Sequence, residues 1–478
     1  MPASRARRFR LPITHPLSAC LAVALGFSAS DAVVARPSNT LVVSNCQDSG
    51  AGSLRGVVAS AANGDFVDLT HLSCSRITLA SGRIATSLAL NLLGPGSARL
   101  TIEGNGADRL FEEDASAELA LYGMTLTNGY GTPAGGCVYS AGSLLLNDVT
   151  VTGCHVIGQG GENLYGGGAF AQGDLSLIAT RIVDNEVYSS LGLSLGGGVS
   201  ALGNLVVSNS TITANIARSG LTNGLVAGGG AYVRGSLEAK YSIISGNAAT
   251  GVRTAERSEI ITGLVGGIGG GVSCAGRAAV QYSTVSDNTA GYAGGLRILG
   301  YGATSSSLLF ESTISGNRAI SGAIGGVFSR TPITVANSTI AFNTEASSHG
   351  AGLYEAGYVA DLESTIIANN GGGTAPIDVG AGGVDRFTGA NNLIMSSGGV
   401  TVPSDTIHAD PHLLPLTDNG GLTRTHALPA GSVAIDAGND VEGLPFDQRR
   451  APFARTVGAP DIGAFEYSSD LIFANGFQ

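Results

Sequence analysis

The chain has 478 residues, of which 73 are glycine, none is tryptophan and one, Lys240, is lysine; its net charge is −11. That acidic balance excludes a nucleic-acid backbone as partner, and beyond residue 35 no run approaches the roughly 20 apolar residues of a membrane-spanning helix. Glycine at this density, spread through an unbroken repeat, predicts one elongated all-β body with caps rather than several compact domains.

Residues 1–35 read as a secretory signal: Arg5, Arg7, Arg8 and Arg10 form the charged start, Leu17 to Phe27 the apolar core, and Val33-Val34-Ala35 the cleavage site. Leu17-Ser18-Ala19-Cys20 matches a lipobox, but there the apolar run should precede the cysteine and here it follows. Residues 36–478 carry 21 basic and 35 acidic side chains, a net of −14. The expected product is an exported chain, secreted or on the outer cell surface.

Residues 36–110 hold an N-terminal cap and the first rungs. Leu54, Val57, Val58 and Ala61 fall on one helix face, with Ser53 placed as N-cap, so a short helix is expected to lie over the first exposed core layer. Cys46 and Cys74 flank it and are expected to form a disulfide in an oxidising compartment. Cys137 and Cys154 are candidates to pair within one rung, which leaves Cys274 as a buried hydrophobe.

Residues 111–402 carry the repeat, cleanest in GGGVSALGNLVVSNSTITAN from Gly196 to Asn215. Copies open at Gly135, Gly166, Gly196, Gly228, Gly269, Gly294, Gly325 and Gly350, and close at Cys154, Asn185, Asn215, Asn247, Asn288, Asn317, Asn343 and Asn369. Opening and closing positions differ by 19 in six copies, by 23 from Gly294 and by 18 from Gly325, while the spacers between copies vary freely. A fixed block with elastic spacers is one rung stacked many times, with loops let out on one side. Val151, Ile182, Ile212, Ile244, Val285, Ile314, Ile340 and Ile366 form the inward column, and the small residues two positions earlier share its face. Thr211, Thr284, Thr313, Thr339 and Thr365 are then expected to face solvent, and the closing asparagines to form a turn ladder. The predicted fold is a right-handed parallel β-helix.

The opening NCQDSGAGSLRGVVASAANGDFVDLT, the rungs NSTITAN and ESTISGN, and ADPHLLPLTDNGGLTRTHALPAGSVAIDAGND followed by DQRRAP and DIGAFEY resemble bacterial exported β-helix proteins of the choice-of-anchor Q type. The resemblance implies a right-handed parallel β-helix at or beyond the cell surface, usually without an assigned activity. GGGAF at Gly166 and GGGAY at Gly228 are also similar to repeats of polymorphic outer-membrane proteins, but the accompanying Phe-x-x-Asn motif is missing from nearly every rung. Residues 403–467 form the family-like C-terminal cap, and residues 468–478, SSDLIFANGFQ, a tail that reads as a sorting tag or a final strand.

Parallel β-helices also host pectate and alginate lyases and polygalacturonases, which place carboxylates, or an Arg or Lys base with a calcium cluster, on neighbouring rungs. Asp184 and Asp287 share a register three rungs apart, about 14 Å, too far for a glycosidase pair. Glu311 and Glu363 fall two rungs apart with Asn337 between, about 10 Å, just beyond that range. His349 has no partner at matching register. No catalytic residue and no metal ligand is therefore assigned. The aspartates of the cap, Asp410, Asp418, Asp436, Asp440, Asp447 and Asp461, are read as Asx turns, with a structural calcium as the competing reading. The longest spacer, Ala248 to Ile268, offers Arg253, Glu256, Arg257 and Glu259 as ligand-binding residues. The function expected is a non-enzymatic, adhesin-like or structural surface protein that binds carbohydrate or another surface component. The alternative is a polysaccharide lyase or glycoside hydrolase.

Overall fold

The computed structural model describes residues 38–220, 225–251, 266–301, 306–347, 349–371, 376–383, 386–440 and 443–468. Residues 1–35, the loop residues Arg253, Glu256, Arg257 and Glu259, and the tail beyond Ser468 lie outside them.

The rung from Val199 to Ala227 shows how the sequence makes the layer. Val199–Ala201, Leu205–Ser208 and Thr211–Thr213 are three short strands that turn around one core. Val199, Ala201, Leu205, Val207 and Ile212 alternate with polar neighbours, all have 0% exposure, and all belong to a single apolar cluster. Each strand pairs in parallel with its copy in the rungs before and after, so Val151, Ile182, Ile212, Ile244, Val285, Ile314 and Ile340 stack at one register. Burying each such side chain contributes about 1.5–3 kcal/mol. The first strands form an eleven-stranded sheet; the second and third merge into one of 23 strands. We refer to these as the first, second and third faces of a parallel β-helix.

The closing asparagine is where the layer shuts. A Cβ on Gly198 would come within 2.9 Å of the Asn215 side chain, so only glycine lets the outgoing corner lie against the incoming one. From there the spacer leaves the body as a fin. Ile216–Ser219 and Val226–Ala227 belong to sheets of seven and three strands, with their own small core of Val156, Leu164, Val187, Ala217, Val226, Ala249 and Ala290. The spacers are let out on one side, as their variable length predicts. Ala248–Gly251 and Ile268 pair within the fin, so the longest spacer emerges from it.

Two details of the repeat differ from the sequence reading. The position that opens each copy has positive φ, at Gly135, Gly166, Gly196, Gly228, Gly269 and Gly350, but Ala293 (φ 54°) and Ile324 (φ 75°) hold it where Gly294 and Gly325 were expected. In the last rung, Ser329 to Ile333 takes four steps but the paired Glu355 to Ala360 takes five. Everything after that turn is displaced by one. Ile367, not Ile366, stacks on Ile340, and Asn370, not Asn369, closes the layer. Thr365 therefore joins the small-residue column, donating to the carbonyls of Val335 and Glu363, and Ile366 takes the outward place.

The asparagines form an unbroken buried ladder. Each Nδ2 donates to the next Oδ1, from Asn185 to Asn215, Asn247, Asn288, Asn317, Asn343 and Asn370, at 2.8–3.0 Å. It ends on Asp378, whose Oδ1 accepts from both Asn370 nitrogens. At the other end Cys154 occupies the asparagine place and Cys137 the glycine place, and the two are joined by a disulfide. A second disulfide links Cys46 and Cys74 beside the helix Leu54–Ser60, whose Leu54, Val57 and Val58 cover the first core layer. Cys274 is a free thiol in the core, pushed up to about 12 by burial.

The segment after residue 402 is irregular, and it does more than close the end. Val400 and Val402 pack against the main core, and the chain then runs back along the third face. Thr284 Oγ1 donates to the Arg424 carbonyl, Thr313 Oγ1 to Gln448, and Thr339 Oγ1 accepts from the Ala464 amide. The expectation that these threonines face solvent is thus corrected: they are buried under this segment, while Thr211 stays half in water.

Candidate functional site

Parallel register sorts the side chains of the first face into columns. The middle residue of each strand points out, and following it along the helix gives Tyr139, Phe170, Ser200, Tyr232, Ser273, Arg297, Phe328 and Tyr354. Five of these eight are aromatic. Rings touch where they are adjacent, at 5.4 Å for Tyr139–Phe170 and 6.1 Å for Phe328–Tyr354.

The fin supplies the second wall. Leu195, Ala227 and Ile268 form a buried strip on the body side of the fin, with Tyr165, Tyr232 and Tyr292 packed against it. Tyr165 meets Phe170 at 5.5 Å and Tyr292 meets Phe328 at 5.4 Å. Body and fin therefore enclose an inner angle lined with rings, most of them half-buried, that runs along the helix axis at ~4.8 Å per rung. Ser200 interrupts it: fully buried, it accepts from the Gly166 amide and donates to the Leu195 carbonyl.

Arg297 gives the angle its charge. It is half-buried, reaches the Ser273 hydroxyl at 3.4 Å, and burial works against its protonated form. Tyr292 and Tyr232 lie close enough to feel its charge, and burial raises both phenols. Among the described residues no carboxylate comes within ion-pair distance of Arg297, nor of the exposed Arg234 and Arg330 that share a register at the outer edge of the same face. By contrast, Arg109, which lies 5.1 Å over the Tyr139 ring at the other end, is held by Glu112 at 3.0 Å. Uncompensated guanidinium beside flat apolar rings can take a carboxylate and a sugar face together.

A smaller polar cluster lies on the opposite side of the fin. His155 Nδ1 is 3.7 Å from Glu186 Oε2, and Arg218 pairs with the same carboxylate while lying 5.4 Å from the Tyr188 ring. His155 beside it, then Arg218, hold the Glu186 carboxyl below its usual range. The cluster balances charge on a partly exposed strand surface, although His155 Nδ1 and Glu186 Oε1 lack a well-aligned hydrogen bond.

The residues weighed from sequence fall elsewhere. Glu311 and Glu363 do not share a register: Glu363 pairs with Ala336, and Glu311 is buried against Arg455 at 3.3 Å. This corrects the sequence alignment, and the displaced last rung is the reason. Asp184 and Asp287 remain three rungs apart. His349 donates its backbone amide to Glu345. Asp410, Asp418, Asp436 and Asp440 each accept a backbone amide of their own turn or a neighbouring one. Among the described residues no three His, Cys, Asp or Glu side chains converge as metal ligands.

The aromatic column was missed, although GGGAF and GGGAY contain it. The signal is the second residue after the glycine cluster, read down the copies as one list. It becomes visible only once that position is known to point outward.

No family model matches the chain. A probable pectate lyase C of Aspergillus terreus is 29% identical over 247 residues, covering 49% of this chain and 55% of that protein. The chain thus spans about half the length of the curated relative it matches. The crystal structure of pectate lyase Pel9A aligns over 90% of this chain and 96% of that one, at 14% identity and a TM-score of 0.41. No described helix is long and apolar enough to cross a membrane.

Proposed function

We propose that the protein is an exported, pectate-lyase-like β-helix that lays an acidic polysaccharide in the angle between its first face and its fin. The observation that carries this reading is Arg297, half-buried among rings and without a carboxylate partner among the described residues, in a chain of net charge −11. Rings offer stacking area to the apolar faces of sugars, and a guanidinium in that setting selects a uronate carboxylate over a neutral hydroxymethyl group. A relative described as a probable pectate lyase supports the same substrate class. Export rests on the signal-like residues 1–35 and surface residence on the choice-of-anchor Q resemblance; amino-terminal sequencing of the exported chain should begin after Ala35.

The test is a titration of the purified chain with polygalacturonate and with a neutral galactan. Polygalacturonate is expected to bind more tightly, and to weaken as salt is raised. Tyr232→Ala and Arg297→Ala should each weaken it by about tenfold, the scale of one lost aromatic or charge-assisted contact. Equal binding of both polymers, or unchanged binding in both variants, would sink the proposal.

A second reading, favoured by the pectate lyase relative, is that the bound chain is also cut by elimination. It requires unsaturated ends to accumulate on incubation, and to vanish in Arg297→Ala. Tight binding without such ends supports the adhesin-like, non-enzymatic role instead.

A further inference from the structure

The segment that covers the third face brings charge with it. Asp447, Arg449, Arg455, Asp461 and Glu466 from the segment, and Glu311 from the body, are all at most 3% exposed. That is four buried carboxyl groups against two buried guanidiniums. Arg455 is the hub: its Nε lies 3.3 Å from Glu311, its Nη1 3.7 Å from Glu466, and its Nη2 donates to Asn337 Oδ1 and the Asp461 carbonyl at 3.0 and 2.8 Å. Arg449 is spent on Asp447 at 2.6 Å and is sandwiched by Phe453 and Phe465 at 4.1 and 3.8 Å. Both oxygens of Glu311, and Nε and Nη1 of Arg455, still lack a well-aligned hydrogen bond. The contact is therefore polar, over-supplied with acid and imperfectly matched.

We propose that residues 403–467 are a displaceable cover, seated when the surplus carboxyl groups carry protons and loosened when they lose them, so that alkaline conditions bare the hydroxyl column of Thr284, Thr313 and Thr339. Two carboxylates balance two guanidiniums; a third leaves a net negative charge in a buried interface. Glu466 is the group that crosses. Burial, then the neighbouring Asp461 charge, push it up to about 8, against the partial relief of amides from Asp461 and Val457 and the charge of Arg455. Glu311 is driven well above its ordinary range by burial, with Arg455 opposing and Asp447, Asp440 and Glu466 adding. Asp440 and Asp436 are the remaining acids that face the cluster.

The sign follows from linkage. A carboxyl whose seated value lies above its released value prefers the seated state only while protonated, so seating weakens as pH rises from about 4.5 to about 8 and levels off beyond. The slope for one such group is up to about tenfold in the seating equilibrium per pH unit.

Hydrogen exchange of the full chain, corrected for intrinsic rates, tests this from pH 6 to 9.5. The Ala464 and Val457 amides, bonded to Thr339 and Glu466, should open more often as pH rises, while the backbone amides of Asn185 and Asn215 in the ladder stay protected. Glu466→Gln should flatten that dependence while losing one of the two amide bonds that Glu466 accepts from Val457 and Asp461, so opening rises at every pH but no longer with pH. Glu311→Gln is the second variant and should also reduce that dependence, since it removes one of the surplus buried carboxyl groups. Opening that is independent of pH in the unmodified chain, or equally pH-dependent in whichever variant folds, overturns the proposal.

Discussion

Among the places where this molecule buries polar side chains, two do so in opposite ways. In the asparagine corner every layer repeats the last, so Asn288 donates to the Ile244 carbonyl and to Asn317 while receiving both Asn247 nitrogens. Translation by one rung turns each amide's surplus into its neighbour's need. Beneath the C-terminal cover the threonine column repeats but the charged groups do not. Arg455 must serve Glu311, Glu466, Asn337 and a carbonyl at once, and Glu311 is left poorly matched. Polar burial becomes cheap when it is periodic and stays costly when it is improvised.

The comparison can be broken first at the corner. Asn288→Ala removes two donors and an acceptor and strands buried groups in two adjacent layers, so unfolding in urea should show a loss of about 3–5 kcal/mol. A loss below about 1 kcal/mol would mean the ladder is incidental.

Next comes a pair at one register of the first face. Glu113 accepts the amides of Ala115, Ala117 and Gly142 and the Ser140 hydroxyl, whereas Glu355 receives the Tyr358 amide and leaves one oxygen bare. Burial pushes Glu355 up to about 7. Because its folded value is the higher one, stability should fall as pH rises from about 4.5 to 7, by at most about 3 kcal/mol. Glu355→Gln should remove that slope in thermal melts taken across the range.

A smaller effect is expected at the opening corner. Ala293 holds φ 54° where six other copies have glycine, so Ala293→Gly should stabilise by up to about 1 kcal/mol, read as a higher melting temperature. The smallest sharpens the contrast: burial drives the Glu311 carboxyl towards its neutral form against the pull of Arg455, so Glu311→Gln, an amide of the same shape, should stay within about 1 kcal/mol in thermal melts.

Much of the architecture was readable because it is periodic. Ile182, Ile212 and Ile244 announce their own stacking, and GGG before a strand announces a crowded corner. The reading slipped where two candidates stood side by side: Ile366 with Ile367, and Asn369 with Asn370, differ only by a residue absorbed in the preceding turn. The cover was not readable at all, since Thr313 and Gln448 lie 135 positions apart and share no pattern. The aromatic column was written in the copies but needed an orientation to be seen, as Tyr232 and Phe328 look like ordinary strand residues until their face is known.

The ladder's two ends show how a polar series can stop inside a stack that continues. Parallel layers invite endless addition, one chain seating on another. Here the first place in the column is filled by a sulfur already bonded to its partner, and the last by a carboxylate that can only accept. The polar column therefore closes within the chain while the layers run on past it at both ends, Leu126 under Val151 and Ile394 over Ile367. At the first core layer it is the helix Leu54–Ser60 that leaves no open edge to template another copy.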